Sequence, residues 1–170
     1  MTNAESQLAS FFAKYEPGIA KLGKALRARL RDRLPGLNEL VYVYESQHSL
    51  VIAYSPTDKG GGSDALCSIA LYTRWVNLYF TQGVLLSRSD PNRLLQGSGK
   101  TVRHVVLHSV ADFDRPEIEV LMAAALKHAK LRLHASAKGS VIIKAEAQKQ
   151  RAARRKRRES RGSSSTSPTA

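Results

Sequence analysis

The sequence predicts an α+β fold: an antiparallel sheet of five to six strands flanked by N-terminal helices and a C-terminal helix, in a single pair of layers. Three observations lead to this prediction. Apolar residues recur at helical spacing over the first 34 positions. Four short runs rich in β-branched and aromatic residues follow between residues 39 and 80. A fifth such run and a further helical pattern then precede a basic C-terminal segment.

Two helices are predicted ahead of the sheet. Apolar residues within 4–15 recur at positions i, i+3, i+4 and i+7, which places them on one helical face. Pro17 suits the first turn of a second helix over 17–34, and Pro35 ends it. The basic side chains of the second helix are predicted to face water, with anion binding as the alternative. They are Lys21, Lys24, Arg27, Arg31 and Arg33.

The four strand signals are separated by linkers short enough for consecutive antiparallel pairing, and they span 39–45, 49–55, 65–72 and 74–80. Because side chains alternate between the faces of a strand, each run divides into two sets. We expect an aliphatic set to form the core: Val41, Val43, Val51, Ala53, Cys67, Ile69, Leu71, Val76, Leu78 and Phe80. The opposite face then carries an aromatic set: Tyr42, Tyr44, Tyr54, Tyr72, Trp75 and Tyr79.

Further elements are predicted after the fourth strand. A helical turn at 92–96 precedes a fifth strand over about 101–110. Asp114 has the features of a helix N-cap, and the helix that follows it is predicted to end near Leu133. Residues 140–145 then give a marginal signal for a sixth strand.

Residues 146–170 are predicted to be a basic, disordered tail attached to a single domain over residues 1–145. Residues 144–170 hold nine Lys and Arg and two Glu, so they carry +7 of the chain's net charge of +13. Such a segment can contact nucleic acid phosphates in a salt-dependent, sequence-independent way. The candidate contacts with nucleic acid or another anion are Arg151, Arg154, Arg155, Lys156, Arg157 and Arg158. The tail lacks aromatic residues that would stack on bases, so a purely solubilising role is the alternative.

Composition favours a cytoplasmic protein. The single cysteine, Cys67, excludes an intramolecular disulfide and suits a reducing compartment. No apolar run reaches the ~18 residues that a membrane span needs, and the N-terminus lacks the pattern of a secretory signal. We therefore expect no membrane association.

The segment Gly97-Ser98-Gly99-Lys100-Thr101 invites comparison with a phosphate-binding P-loop. That motif needs a glycine five residues before its Gly-Lys-Thr, and Leu94 occupies this position. The motif must also open a helix, whereas the residues after Thr101 are rich in β-branched side chains and predict a strand. We therefore expect no nucleotide cradle here, and no cofactor.

No catalytic or metal-binding constellation is predicted. On a strand, His104 and His108 would lie about 13 Å apart, and on a helix His128 and His134 would point in different directions. The strand parity of Cys67 directs its thiol into the core, where thiols are usually inert. We therefore expect a protein that is not an enzyme and has no metal site.

Four stretches of the chain follow one another in a recognisable order. They are Val76-Asn77-Leu78-Tyr79-Phe80; residues 94–105; Asp114-Arg115-Pro116-Glu117 followed by Ala123-Ala124-Ala125-Leu126; and Ile142-Ile143-Lys144 running into Gln148-Lys149-Gln150-Arg151. In this order they resemble the YdhG-like family of small bacterial domains of unknown function. The resemblance covers roughly residues 17–156 and implies an α+β fold with a helix-flanked antiparallel sheet.

Some members of that family are described as frataxin-like iron chaperones, so the resemblance implies intracellular iron delivery as an alternative function. Iron binding of that kind depends on clustered acidic residues, because hard cations prefer oxygen ligands. Residues 1–38 hold three acids and seven bases, so the chain departs from the pattern where the iron ligands should be.

The aromatic face is the strongest candidate for a functional surface, because ligand pockets are mostly apolar or aromatic with a few polar groups. Basic residues near it would supply charge at its rim. We therefore predict a ligand- or protein-binding module whose candidate contacts are Tyr44, Tyr72, Arg74, Trp75, Tyr79, Lys100 and Arg103. The alternative is that the helix at 4–15 packs on this face and fills it.

Overall fold

The computed structural model describes residues 3–60 and 64–144, together with Lys156. Its helices are α1 (Asn3–Phe12), α2 (Pro17–Arg33), α3 (Val110–Phe113) and α4 (Pro116–His128). Its strands are β1 (Asn38–Tyr44), β2 (Ser49–Ser55), β3 (Cys67–Leu71), β4 (Val76–Phe80), β5 (Arg103–Leu107) and β6 (Val141–Ile143). Short 3-10 helices span Glu45–Gln47 and Gly83–Ser89. These elements confirm the α+β class.

The six strands belong to one sheet, in the order β5-β4-β3-β2-β1-β6. β1 to β5 form the predicted antiparallel meander, in which each strand pairs with the next. β6 instead lies parallel to β1, so the sheet is mixed and the prediction of an antiparallel sheet is wrong for this strand. The reason is the route of the chain, which leaves β5 at one edge and reaches the other edge only after α3 and α4. A long crossover of this kind permits parallel pairing.

The hydrophobic core lies on one face of the sheet and joins it to the helices. Phe12 of α1, Leu26 of α2 and Leu121 of α4 belong to the same buried cluster as the central strands. The contact between α2 and β3 is especially close, since a Cβ atom on Gly23 would lie 2.6 Å from Leu71. A glycine at this helical position therefore lets α2 approach the sheet.

β2 has the opposite alternation from the one predicted. Leu50, Ile52 and Tyr54 are buried in the core, whereas Val51 and Ala53 lie on the second face of the sheet. All five positions are apolar or aromatic, so a period of two cannot by itself select the face that becomes buried. The larger side chains take the core side because they remove more apolar surface from water.

The predicted start of the C-terminal helix is wrong. Asp114 ends α3 and forms an ion pair with Arg29 at 3.0 Å, and it does not cap α4. The N-cap residue of α4 is Arg115. The capping box in this region belongs to α3, where Ser109 and Asp112 exchange hydrogen bonds between side chain and backbone.

Two further boundaries also differ from the predictions. α4 ends at His128 and does not reach Leu133, because Lys130 adopts a left-handed φ of 54° that a helix cannot continue. No helical turn forms at 92–96. There the backbone N–H groups of Leu94 and Leu95 donate to the carboxylate of Asp90, at 2.8 and 2.9 Å.

A buried ion-pair network joins α1, α2 and β1. The guanidinium of Arg27 donates to both carboxylate oxygens of Glu39, with its shortest contact at 2.6 Å, and to the carboxylate of Glu5 at 2.8 Å. Glu39 is only 3% exposed and also accepts a hydrogen bond from the Tyr54 hydroxyl at 3.2 Å. Arg31 lies 3.3 Å from Glu5. The network therefore neutralises a carboxylate that the fold removes from water.

The prediction that the basic side chains of α2 face water is wrong for Arg27, whose side chain is 15% exposed within the network. Arg31 and Arg33 also form ion pairs, with Glu5 and with Glu119 of α4 at 2.7 Å, but their side chains remain 49% and 30% exposed. Lys21 and Lys24 are exposed as predicted. Most of the basic residues of α2 thus form ion pairs with neighbouring elements of the fold.

Acidification should destabilise the protein through this network. Hydrogen bonds from Arg27 hold the pKa of Glu5 below its ordinary value of 4.5, against a smaller opposing effect of burial. A carboxylate whose pKa is lowered by folding contributes stability above its unfolded pKa and loses it as the pH falls through the folded value. We therefore expect the free energy of unfolding, measured by urea denaturation, to fall as the pH drops below about 4.5.

The variant Glu5→Gln should show a shallower dependence on pH in this range, because its side chain cannot take up the proton. Glu16→Gln, at an exposed position before α2, is the control and should keep the parent's slope. If Glu5→Gln also keeps that slope, the contribution assigned to Glu5 is wrong.

Candidate functional site

The face of the sheet away from the core is concave. Two rows of paired residues cross it: Leu40-Ala53-Ser68-Tyr79 and Tyr42-Val51-Ala70-Asn77. In both rows the central strands β2 and β3 carry small or medium side chains, whereas a tyrosine stands at one end of each row, Tyr79 on β4 in the first and Tyr42 on β1 in the second. The result is a groove of about 470 Å³, which we call the tyrosine groove. Its aromatic lining residues are Tyr42, Tyr44, Tyr72 and Tyr79.

α1 does not fill this groove, so the alternative in which the first helix packs on the aromatic face is wrong. Leu8 and Phe12 of α1 are buried in the core cluster with Leu26 of α2 and Val41 of β1. Side chains at successive positions of β1 point to opposite faces, so Val41 and Tyr42 lie on different sides of the sheet. α1 therefore belongs to the core side.

A hydrogen-bonded chain of polar side chains lies at one side of the groove. The hydroxyl groups of Tyr72 and Tyr79 are 2.9 Å apart, and Asn77 Nδ2 donates to the Tyr79 hydroxyl at 3.1 Å. Desolvation and the contact with Tyr79 raise the pKa of Tyr72, so its hydroxyl stays protonated. A single bond between two hydroxyls uses only one of their two hydrogen atoms. One O–H group of the pair therefore remains available to an acceptor.

Two buried oxygens of this face lack a hydrogen-bond partner among the described residues: Asn77 Oδ1 and Ser49 Oγ. Ser49 lines the tyrosine groove, and its residue is 2% exposed. A buried polar atom without a partner costs about 1–3 kcal/mol. Native proteins contain few such atoms, and they often accompany functional sites.

The opposite side of the groove is positively charged. Lys59 and Lys144 both line it, and no acidic residue is found among the lining residues that the structure describes. The ammonium of Lys144 donates to the backbone carbonyl of Asp58 at 2.5 Å, which ties β6 to the loop after β2. Gly60 in that loop has a φ of 70°, and a Cβ atom there would lie 2.9 Å from the Tyr42 hydroxyl. Lys144, whose side chain lies against the same glycine, is thus held near Tyr42, while Lys59 is exposed in the loop.

The structure brings together three of the predicted contact residues, since Tyr44, Tyr72 and Tyr79 all line the groove. Trp75 stacks on Tyr72 with ring centroids 5.3 Å apart, and it remains 43% exposed at the turn between β3 and β4. Arg74 lies in the same turn and is exposed outside the groove.

Lys100 and Arg103, the basic residues expected at the rim, do not line the groove. Lys100 is exposed in the turn that the backbone pairing of Gln96 with His104 closes. Arg103 pairs with Phe80, a core residue, and its guanidinium donates to the carbonyls of Gly99 and Val102. His104 is the residue that faces Tyr79, with ring centroids 5.2 Å apart. The prediction that Arg103 lies beside the aromatic residues is therefore wrong. His104, the next residue of β5, occupies that place.

The predicted contacts omit several lining residues of the groove, among them Tyr42, Ser49, Lys59 and Lys144. They also omit Asn77, which lies on the same face and donates to the hydroxyl of Tyr79. The alternation of side chains in β1 places Tyr42 on this face, so its position in the groove can be predicted from the sequence. Lys59 lies in a loop, where no periodicity indicates a direction. Lys144 reaches the groove only because β6 pairs with β1, and sequence patterns do not specify which strands pair.

The remaining predictions concern the cysteine, metal ligands, membrane spans and the basic tail. Cys67 is buried in the core as predicted, and burial raises the pKa of its thiol to about 12. Among residues 3–60 and 64–144, no three or more His, Cys, Asp and Glu side chains come together as metal ligands, and no helix there is long and apolar enough to span a bilayer. The predicted tail contacts lie outside the described residues, except for Lys156, which is exposed.

No known protein family, curated protein or solved structure matches this chain. The resemblance to the YdhG-like family stays a prediction.

Proposed function

We propose that this protein is a non-enzymatic, cytosolic binding module of the YdhG-like type, and that its tyrosine groove holds a small organic ligand. The observation that carries the proposal is the groove itself, with four tyrosines standing over a floor of small residues. Small-molecule sites are typically concave, apolar or aromatic, and about 300–1,000 Å³ in volume, with a few polar groups that orient the ligand. The groove has these properties.

The shape of the groove favours a small molecule over a protein partner. A stable protein interface usually buries more than about 1,000 Å² and is not confined to a recess. The small side chains of Ala53, Ser68 and Ala70 create depth, whereas a flat protein-binding surface would gain area from larger ones. Ser49 adds a polar residue to the lining, and its buried hydroxyl has no hydrogen-bond partner among the described residues.

A fragment screen by NMR tests this proposal. Ligands of the groove should shift the backbone amide signals of Ala53, Ser68 and Ala70 in the labelled protein. The variant Ser68→Phe places a ring on the floor between Ala53 and Tyr79 and should weaken binding at least tenfold, because it fills the space that the ligand needs.

Val120→Phe is the matched control, because it adds a similar ring at a position of α4 that is 52% exposed. It should leave the affinity unchanged. If no compound shifts the groove signals, or if Ser68→Phe binds the ligands as tightly as Val120→Phe does, the proposed function is wrong.

A further inference from the structure

We infer that the ligand of the tyrosine groove is a planar aromatic anion, with its charged group at the lysine side and an oxygen acceptor at the opposite end. This inference rests on the proposed function and specifies the class of ligand. Three independent features of the groove support it: its paired aromatic walls, its uncompensated positive charge, and the available hydroxyl of the Tyr72–Tyr79 pair.

The walls of the groove favour a flat ring system. Tyr42 and Tyr44 lie on one wall with their rings stacked, at a centroid distance of 6.2 Å and an interplanar angle of 18°. Tyr72 directly follows β3 and Tyr79 lies on β4, so both stand beyond β2 on the other side of the groove. Trp75 extends this aromatic surface by stacking on Tyr72. Aromatic rings prefer offset-stacked or edge-to-face contact with other rings, which a planar ligand between these walls can make.

The charge of the groove selects an anion. Lys59 and Lys144 carry the charge of the lining, and the described residues that line the groove include no carboxylate to pair with them. Glu39, on the neighbouring strand β1, is buried against Arg27 and Tyr54 in the ion-pair network. Hydrogen bonds from an ammonium to a carboxylate are about twice as strong as neutral ones. A carboxylate of the ligand would therefore bind at this side.

The opposite end of the groove offers a neutral hydrogen-bond donor. Asn77 donates to Tyr79, and the contact between Tyr79 and Tyr72 leaves one O–H group for an external acceptor. Lys144 follows the strand beside β1, whereas Asn77 lies on β4. The sheet order places four strand spacings between β6 and β4, which is about 19 Å at about 4.8 Å each. A ligand that contacts both poles must therefore be elongated, and a two-ring acid with a distal oxygen is the smallest probe of this class.

The compound 6-hydroxy-2-naphthoate is a suitable probe, with its neutral amide, 6-hydroxy-2-naphthamide, as the matched comparison. Titration calorimetry should show the carboxylate binding at least tenfold more tightly than the amide. Lys59→Met and Lys144→Met should each weaken binding of the carboxylate about fivefold or more and leave binding of the amide unchanged. Tyr72→Phe should weaken both compounds, because it removes a hydroxyl at the neutral end.

Lys21→Met, on the exposed side of α2, is the control for loss of one positive charge and should have no effect. Because Lys144 also donates to the backbone carbonyl of Asp58, the folding of Lys144→Met is checked by circular dichroism. If that variant unfolds, Lys59→Met still tests the inference, because Lys59 is exposed in a loop.

The outcomes separate this inference from the proposed function. If the amide binds as tightly as the carboxylate, or if only neutral fragments shift the groove signals, the anion assignment is overturned and the groove remains a binding site. Carboxylate binding that persists in Ser68→Phe occurs elsewhere and also overturns it. If no compound of any charge perturbs the groove, the proposed function itself fails.

Discussion

Replacing Arg27 by methionine should lower the free energy of unfolding by about 3–5 kcal/mol, measured by urea denaturation at neutral pH. The variant removes the guanidinium that lies 2.6 Å from the Glu39 carboxylate, whose side chain is 4% exposed. Arg31 cannot replace it, because it approaches Glu39 only to 3.9 Å and is itself 49% exposed. A buried carboxylate would thus lose its main counter-charge, which is the costly way to break an ion pair.

Arg29→Met provides the matched control on the same helix. Arg29 also forms an ion pair, with Asp114 at 3.0 Å, but the two side chains are 52% and 44% exposed. Exposed pairs contribute roughly 0–1 kcal/mol, so this variant should stay within that range of the parent. The double variant Arg27→Met/Glu39→Gln should recover part of the loss, because it removes the buried charge as well. Equal effects of Arg27→Met and Arg29→Met would show that burial of the network does not matter.

Tyr54→Ala should destabilise the fold by about 3–5 kcal/mol, the range found when a large aromatic side chain is removed from a core. Tyr54 is 1% exposed and packs in the core cluster, and its hydroxyl donates to Glu39. Tyr54→Phe keeps the ring and should cost about 1 kcal/mol, the usual net contribution of one hydrogen bond. Thermal or urea unfolding of the two variants separates these contributions.

Val51→Ala is the control for the face of β2. Val51 is half-buried on the groove side, where it pairs with Tyr42 and Ala70. We expect a smaller loss of stability than for Tyr54→Ala, because less apolar surface is removed from contact. If Val51→Ala proved to be the more damaging of the two, β2 would have the alternation that the sequence predicted and the structure contradicts.

Local patterns in the sequence correctly predict the order of the strands and main helices, and the face of the sheet on which part of the groove lies. Alternation in β1, β3 and β4 correctly placed Tyr44, Tyr72 and Tyr79 on the face opposite the core. The alternation was readable there because one parity of each strand is mainly aliphatic and the other carries a tyrosine. In β2 the tyrosine, Tyr54, shares its parity with the large aliphatic residues Leu50 and Ile52, so the predicted faces of Val51, Ala53 and Tyr54 are wrong.

Other features depend on competition between distant parts of the chain. Asp114 is a residue type that often caps helices, but the capping box here is formed by Ser109 and Asp112. The carboxylate of Asp114 instead forms an ion pair with Arg29 of α2. Neither outcome can be read from residues 114–117 alone. The basic side of the groove is a similar case, because Lys144 lies there only through the parallel pairing of β6 with β1.

That pairing also has a consequence for the order in which the protein can fold as it is made. Glu39 of β1 pairs with Val141 of β6, 102 residues later in the chain. At a synthesis rate of about 5–20 residues per second, roughly 5–20 s pass between the appearance of the two strands. During this interval the outer edge of β1 lacks the strand that will cover it, and such an edge can pair with strands of other chains. The outer edge of β1 is therefore open to pairing with other chains until β6 has been synthesised.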